Sequence, residues 1–389
     1  MSDDNERHAT NLELFLDLVF VFAVTQIASL LGNDLTLRGA SRALLIAWLV
    51  WWQWSQFTWA GSAVDLQQRV VTRMLVLCTI PATLTMAVSI PNAFHSSHVH
   101  DSGLQDSGVW FGVAYVTVQL LVLGMQGSAA MRESSTRKAF VDFAMFASIA
   151  PVVVAVGGFV HGGARTGLWI AAALINVAGA VRGASGEWVI NPVHFAERHT
   201  LFVIISLGEA LVAIGATASD LGLTFRILVG LTSATAAACV VWWVYFAFIP
   251  SVTEYTLEQA HGGQRGVAAR DLFTFGHFPI VVGIVGYAVV AKHMVAAPAH
   301  TLTDADGWLL IGALAILIGG TLNIQWHVRH RLAVERIVAV AAIAAWVLVG
   351  ASLAGWAVIG GIAGILAVMQ SITWRRFRQR GLAQVAGVR

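Results

Sequence analysis

The chain has 389 residues, of which 57% are hydrophobic and only 11% are charged. Soluble domains carry about 25% charged residues, so this composition excludes an ordinary soluble protein and predicts a polytopic membrane protein. The net charge is +2, and no phosphate-binding loop, nucleophile elbow or nucleic-acid-binding feature occurs. The two cysteines, Cys78 and Cys239, lie inside apolar runs, which argues against a disulfide framework or a thiolate metal site.

Continuous apolar runs predict membrane-spanning helices along the whole chain. A helix needs about 20 apolar residues to cross the hydrocarbon core, and runs that do not alternate with polar residues are not typical of strands. We predict twelve spans, the last two with a very short connection. They lie near 12–32, 40–61, 70–92, 108–131, 139–160, 166–185, 199–218, 225–250, 270–293, 306–328, 332–354 and 356–374.

The basic residues orient these spans. Of the 23 Lys and Arg, eighteen fall on one side of the predicted arrangement. The other side holds the remaining five, which are Arg38, Arg42, Arg165, Arg226 and Lys292. The positive-inside rule then places both termini in the cytoplasm. An arginine cluster with an aromatic anchor lies at 374–380, and we expect it to bind anionic lipid headgroups.

The first predicted helix carries two carboxylates, Glu13 and Asp17, near its start. Their spacing of four residues places both on one helical face. A charge inside a bilayer costs at least about 2.5–3.5 kcal/mol on insertion scales, so such groups are paired, sheltered or functional. Two interpretations stay open: a cation or proton site, or a structural ion pair with an arginine such as Arg73.

The two halves of the chain resemble each other, which predicts an internal repeat. The matching positions are Gln26 and Gly32 with Glu209 and Gly215, Trp51-Trp52 with Trp242-Trp243, and Pro81, Asp106 and Trp110 with Pro279, Asp304 and Trp308. We therefore predict two six-helix repeats, 1–190 and 191–389, in parallel orientation. Transporters built in this way place their path at the seam between the halves. The tryptophan pairs either line that seam or serve packing and lipid contact.

The seventh predicted helix holds a second polar cluster, His194, Glu197 and Arg198, within one turn. Further along, Glu209 is about 15 Å into the span at 1.5 Å per residue, close to the midplane. We interpret Glu209 as a functional carboxylate, with a structural glutamate as the alternative. Arg270 opens the third helix of the second half beside Asp271, and the two can neutralise each other.

Metal binding is the weaker interpretation of the histidines. His194, Glu197 and His199 have helical spacing but lack a third histidine at a useful distance in sequence. The loop 95–101 is richer in potential ligands, but short histidine-rich loops are often only solvated. We therefore expect no metal and no cofactor.

Two stretches of the sequence, one that begins at Glu13 and one that begins at His194, resemble motifs of the bacterial low-temperature-requirement A family. The family patterns appear as Glu13-Leu-Phe-Leu-Asp17-Leu-Val-Phe-Val-Phe-Ala23 and as His194-Phe-Ala-Glu197-Arg198-His-Thr-Leu201 followed by Leu207-Gly-Glu209. Leu16 replaces an aromatic residue of the family. The resemblance implies a bacterial integral membrane protein linked to growth in the cold, with no established reaction. The first motif is also similar to the first helix of endolysosomal-type potassium channels, with Leu16 in place of a serine.

These observations predict a non-enzymatic protein of the bacterial cytoplasmic membrane that transports a small ion or solute. The expected site carboxylates are Glu13, Asp17, Glu197 and Glu209, supported by Gln26, Arg73, His194, Arg198 and Arg270. One alternative is a non-transporting sensor or assembly protein for growth at low temperature. The other is a lipid-modifying membrane enzyme, for which the sequence offers no convincing nucleophile or metal site. Membrane lipids are the expected partners, and the oligomeric state stays open.

Overall fold

The computed structural model describes residues 7–63, 66, 70–95, 106–130, 134–184, 186 and 188–385. Its helices are α1 (Asn11–Asn33), α2 (Leu37–Ala63), α3 (Val70–Ser89), α4 (Ser107–Ala130), α5 (Ser134–Phe159), α6 (Gly162–Gly183), α7 (Pro192–Leu221), α8 (Phe225–Phe246), α9 (Ile249–Gln259), α10 (Gly263–Ala268), α11 (Gly276–Ala296), α12 (Asp304–Arg329), α13 (Val334–Val349) and α14 (Gly355–Val385). A π-helical segment, Ala269–Phe275, joins α10 to α11. Across the described residues β structure is limited to one isolated bridge, between Thr301 and Ala354. The predicted all-α fold is confirmed.

Eleven helical stretches are long and apolar enough to cross a membrane, and each coincides with a predicted span. The chain is therefore a multi-pass membrane protein. The remaining predicted span forms α2, which has 27 residues but is not among the eleven. Polar residues such as Gln53, Ser55 and Gln56 interrupt its apolar sequence. The expected count of twelve thus depends on whether α2 also crosses.

The chain divides into two compact units, of which the first comprises Met1–Ile205 and Val252–Phe278. Within it, α1 packs on α2 and α3, α4 packs on α3 and α5, and α6 packs on α5 and α2. The polar side of α2 is enclosed by these neighbours, and Gln53, Ser55 and Thr58 are all buried. Hydrogen bonding makes this burial tolerable: Gln53 Nε2 donates to the Tyr115 carbonyl at 3.3 Å.

The π-helical segment also belongs to the first unit and receives side chains from α2. Trp51 Nε1 donates to the Thr274 carbonyl at 2.8 Å, and Trp59 Nε1 donates to Thr274 Oγ1 at 3.2 Å. Ser55 Oγ lies 3.1 Å from the same hydroxyl. Segments with π geometry are rare and occur frequently at functional sites. These three contacts attach α2 to the π-helical segment at Thr274.

The second unit comprises Ser206–Ser251 and Pro279–Arg389. In it, α8 packs on α14, and α13 packs on both α12 and α14. Close approach of α11 and α12 requires a glycine at Gly283, because a Cβ there would collide with Ala313 and Leu317. Arg336 of α13 is fully buried and donates to Thr321 Oγ1 of α12.

The predicted repeat 1–190 and 191–389 stays a prediction. The tryptophan pairs that suggested it have different environments: Trp51 and Trp52 are buried, whereas Trp242 is 46% exposed. For the first pair, burial within the first unit favours the packing interpretation. Exposure of Trp242 fits contact with lipid.

Candidate functional site

The start of α1 is fixed by a capping box that also positions the first carboxylate. Thr10 Oγ1 accepts a hydrogen bond from the Glu13 backbone N–H at 3.3 Å, and the Glu13 carboxylate accepts from Thr10 N at 2.9 Å. Such reciprocal caps satisfy two otherwise unpaired donors of a helix end. Glu13 is thereby held on the inner face of the first turn, with Asp17 one turn deeper.

The first turns of α1 and α7 meet through an ion-paired network. Arg198 Nη2 lies 2.6 Å from Asp17 Oδ1, and Arg198 Nη1 lies 3.0 Å from Glu13 Oε1. His194 Nε2 lies 3.0 Å from the same Glu13 oxygen. Glu13 and Asp17 on α1 are four residues apart, as are His194 and Arg198 on α7. The two helices therefore pair in register, with His194 facing Glu13 and Arg198 facing Asp17. We call Glu13, Asp17, His194 and Arg198 the carboxylate–arginine network.

This network is shielded from solvent. Each of its four residues is at most 1% exposed. Trp54 of α2 covers it: its Nε1 donates to Asp17 Oδ1 at 2.8 Å, and the Arg198 guanidinium lies 6.0 Å from its ring centroid. Charge-assisted hydrogen bonds of this kind are the strong ones. All of these residues belong to the first compact unit.

The charges of the network do not balance. Two carboxylates and one guanidinium leave one excess negative charge when His194 is neutral. Within the described part of the chain, Asp17 Oδ2, His194 Nδ1, Arg198 Nε and Arg198 Nη1 have no hydrogen-bond partner, although Nη1 lies within ion-pair distance of Glu13. A buried net charge is costly, and one bound proton removes it. Asp17 Oδ2 and His194 Nδ1 are the two of these atoms that can accept that proton.

Two further histidines lie beside the network. His199 Nδ1 is 2.9 Å from the Phe195 carbonyl, which assigns its proton to Nδ1. Its ring centroid is 5.3 Å from that of His277 and 4.9 Å from that of Trp54. Across the described residues, His199 Nε2 has no partner. Sequence reasoning missed Trp54 and Thr274 and considered His199 only as a possible metal ligand, because the contacts of these residues depend on which helices pack together.

The arginine that pairs with both carboxylates is Arg198, not Arg73. Arg73 lies on an exposed part of α3, whereas Arg198 lies on the buried face of α7. Arg270 forms the expected pair with Asp271, with Nε–Oδ1 at 2.6 Å and Nη2–Oδ2 at 2.9 Å. The Asp271 carboxylate therefore neutralises the Arg270 guanidinium.

The other predicted site residues lie outside the network. Glu197 Oε2 accepts from the Ala9 backbone N–H at 2.7 Å and lies 3.3 Å from His8 Nδ1. Glu209 and Gln26 are half-buried. Glu209 follows Arg198 by eleven residues on α7, about 16 Å along the helix axis, and belongs to the second unit.

Among the described residues there is no group of three His, Cys, Asp or Glu side chains that could hold a metal ion. His194 is directed to Glu13, and Glu197 is directed to Ala9, so the two do not share a ligand position. Most of the histidine-rich loop, from 96 to 101, lies outside the described residues.

Comparison with known proteins gives one family and one relative. The model of the bacterial low temperature requirement A protein family matches residues 8–371. An uncharacterized protein of Rhizobium meliloti (strain 1021) is 30% identical over 333 residues, which cover 80% of this chain and 75% of the relative. No solved structure matches. The family match includes all four residues of the carboxylate–arginine network.

Proposed function

Because this chain belongs to the bacterial low temperature requirement A family and crosses the membrane many times, we propose that it transports a small ion or solute coupled to proton binding at the carboxylate–arginine network. The observation that carries the proposal is the unbalanced buried charge. Glu13 and Asp17 share one guanidinium, and Asp17 Oδ2 has no partner among the described residues. Ionisable residues within membrane helices commonly mark ion or proton pathways.

Proton binding gives the network two electrostatic states. In the unloaded state, Arg198 holds both carboxylates, and α1 and α7 are joined by two ion pairs. With a proton on Asp17 Oδ2, Arg198 keeps Glu13 as its charged partner and the network is neutral. The contact between α1 and α7 therefore differs in strength between the states. A ligand that binds the states differently shifts their populations, and this couples proton binding to transport.

The test is proton flux in proteoliposomes with an entrapped pH dye, driven by a potassium diffusion potential. Asp17→Asn mimics the protonated carboxyl, so we expect flux to fall at least about a hundredfold, the lower end of the effect of a positioned proton-transfer group. The control is Asp220→Asn, which removes an exposed carboxylate at the end of α7, and it should retain flux. Normal flux in monodisperse Asp17→Asn protein would contradict the proposal.

Glu209 is a further carboxylate of the proposed path. Glu209→Gln should abolish flux of the coupled ion under imposed potassium and proton gradients while leaving the protein folded and monodisperse. The physical reason is that an amide replaces a titratable group in the middle of a membrane span. Unchanged flux in this variant removes Glu209 from the path without affecting the role of Asp17.

One observation favours a second candidate, a non-transporting sensor or assembly protein. Glu13 caps α1 as well as pairing with Arg198, which is a structural role. If Asp17→Asn and Glu209→Gln both lower thermal stability strongly and the wild-type protein conducts neither protons nor potassium, this alternative is favoured. For a lipid-modifying enzyme, the metal group that such chemistry can use is not found among the described residues.

We also assign the protein to the bacterial cytoplasmic membrane, with both termini in the cytoplasm. The excess of basic residues on one side supports this orientation. A cysteine at Thr36, between α1 and α2, should then react with an impermeant maleimide from outside the cell in a cysteine-free background.

At the C-terminal end, Arg376 pairs with Glu335 at 2.6 Å and Arg375 is exposed. Anionic lipids are the proposed partner there, and binding should fall in neutral vesicles.

A further inference from the structure

A partly open cavity lies in the first unit, separate from the carboxylate–arginine network. Residues of α2, α4, α5 and α6 and the π-helical segment line it. Its aromatic lining residues are Trp52, Trp59, Phe143 and Trp188. We call it the Trp188 cavity. Pockets of this composition, aromatic with few polar groups, are typical of small-molecule sites.

The aromatic rings of the Trp188 cavity form a connected wall. Trp188 meets Trp59 edge to face at a centroid distance of 5.6 Å and meets Phe143 in the same way at 5.7 Å. Small residues of α6, including Ala180 and Gly183, complete the lining. A Cβ at Gly183 would contact the Phe143 ring at 3.4 Å. The small size of these residues therefore leaves space beside the aromatic rings.

Two polar atoms of the lining residues lack hydrogen-bond partners in the described part of the chain. They are the donor Trp52 Nε1 and the acceptor Gln126 Oε1. Gln126 Nε2 donates to Gln56 Oε1 at 3.2 Å, which fixes the orientation of the Gln126 amide and leaves its oxygen as an acceptor. Leaving a buried polar group unpaired costs about 1–3 kcal/mol. A ligand that offers a donor to Gln126 Oε1 and an acceptor to Trp52 Nε1 would satisfy the two atoms.

The charge of the lining selects against ions. Arg270 is the charged residue in the described lining, and Asp271 holds it through two hydrogen bonds at 2.6 and 2.9 Å. Its guanidinium also donates to the Val181 carbonyl at 3.3 Å. Neither a free cation nor a free anion would find an unpaired opposite charge there. An uncharged ligand loses less hydration on entering such a site.

We propose that the Trp188 cavity binds an uncharged single-ring compound that bears a hydroxyl group. The ring packs against Trp59, Phe143 and Trp188, and the hydroxyl donates to Gln126 Oε1 and accepts from Trp52 Nε1. This site does not depend on proton-coupled transport by the carboxylate–arginine network. It can be occupied whether or not the protein conducts ions.

The test uses 4-bromophenol as the probe, with the full chain in lipid nanodiscs at pH 7. Bromine quenches tryptophan fluorescence on contact, so binding next to Trp52, Trp59 and Trp188 should give a saturable quenching component. Empty nanodiscs with added free tryptophan correct for partitioning of the probe into lipid. The comparison compound is 4-bromotoluene, which lacks the hydroxyl and should bind about 25-fold more weakly, because it loses two hydrogen bonds that are each worth about fivefold.

Three variants locate the site. Ala180→Phe fills the cavity and should abolish the saturable component. Trp52→Phe removes an N–H that bonds no described residue, so it tests the donor without breaking a hydrogen bond, and it should weaken binding about fivefold. Gln126→Leu should weaken it similarly, with thermal stability measured in parallel. The matched control is Trp110→Phe, at a tryptophan that is 44% exposed on α4, and it should bind as the wild type does.

Several results would overturn the proposal. Absence of saturable quenching in folded wild-type protein would mean that the cavity holds only water. Equal binding by Ala180→Phe would place the probe elsewhere. Tighter binding of 4-bromobenzylammonium than of 4-bromophenol would make the aromatic wall a cation site and refute the uncharged ligand class. The proton-flux assay is independent of all three, so failure of this proposal and failure of the transport proposal are distinguishable.

Discussion

Removing the guanidinium of Arg198 should destabilise the protein more than any other single substitution at the carboxylate–arginine network. Arg198→Met keeps much of the side-chain volume but leaves Glu13 and Asp17 buried without a counter-charge. Both carboxylates are at most 1% exposed, so water cannot replace the guanidinium. The perturbation therefore measures the cost of an uncompensated pair of buried charges.

The magnitude follows from the two ion pairs, with N–O distances of 2.6 and 3.0 Å. At a charge separation of about 4 Å and an effective dielectric constant of about 20, each pair attracts by about 4 kcal/mol. Part of this attraction is offset because burying the guanidinium is itself costly. Breaking a buried pair by removing one partner typically costs about 3–5 kcal/mol, and we expect that loss for Arg198→Met.

The triple variant Arg198→Met, Glu13→Gln, Asp17→Asn separates charge from packing. Because it removes all three charges together, we expect it to recover most of the lost stability, to within about 2 kcal/mol of the wild type. The assay is the free energy of unfolding at pH 7 in mixed detergent micelles titrated with SDS. Arg73→Met, at an exposed arginine, is the control and should stay within about 0.5 kcal/mol. A triple variant less stable than Arg198→Met alone would refute the electrostatic reasoning.

Two further predictions concern close contacts and pH. Gly61→Ala adds a methyl group against Glu13 Oε1, so we expect a loss of about 1–3 kcal/mol and reduced proton flux. Gly124→Ala, where nothing lies within 4 Å of the added Cβ, should be neutral in both assays. At Asp106, burial raises the pKa, but the hydrogen bonds from Arg165 and the Gly108 backbone N–H, together with the nearby positive charge, hold the pKa below its usual value. Its contribution is therefore full above about pH 4, the ordinary range of an aspartate, and is lost as the pH falls through the folded pKa. Asp106→Asn should lower the melting temperature at pH 7, and its difference from the wild type should shrink below pH 4; a constant difference would contradict the assignment.

The helices were predictable because a bilayer leaves few alternatives. Each spanning segment must satisfy its backbone internally, so long apolar runs become helices. The prediction was least informative for α2, where buried Gln53, Ser55 and Gln56 resemble surface residues in sequence. Burial of α2 depends on neighbours that a local pattern does not reveal. The π-helical segment at Ala269–Phe275 was not predicted either, since its sequence does not differ in kind from that of an ordinary helix.

The candidate site was predictable as residues but not as pairs. The spacing of Glu13 and Asp17 indicated a shared face, and His194 and Arg198 were recognised on α7. Which arginine would pair with the carboxylates depended on helix packing, and sequence reasoning suggested Arg73 as an example. Trp54 could not be singled out among five tryptophans of α2, because only its position opposite Asp17 distinguishes it.

The short segment before α1, residues 7–10, lies next to the carboxylate–arginine network and contacts three helices. Arg7 donates to the carbonyls of Gly61 and Ser62 at the end of α2. The Ala9 backbone N–H donates to Glu197 of α7, and Thr10 caps α1 through Glu13. Three helix ends are thus joined by one short segment directly beside the buried Glu13. Under the proposed proton coupling, a proton that reached Glu13 from this side would pass these contacts, and Glu197 would act by holding the segment in place. The partly buried Glu197, one residue from Arg198, would thereby serve the proposed site without touching the network.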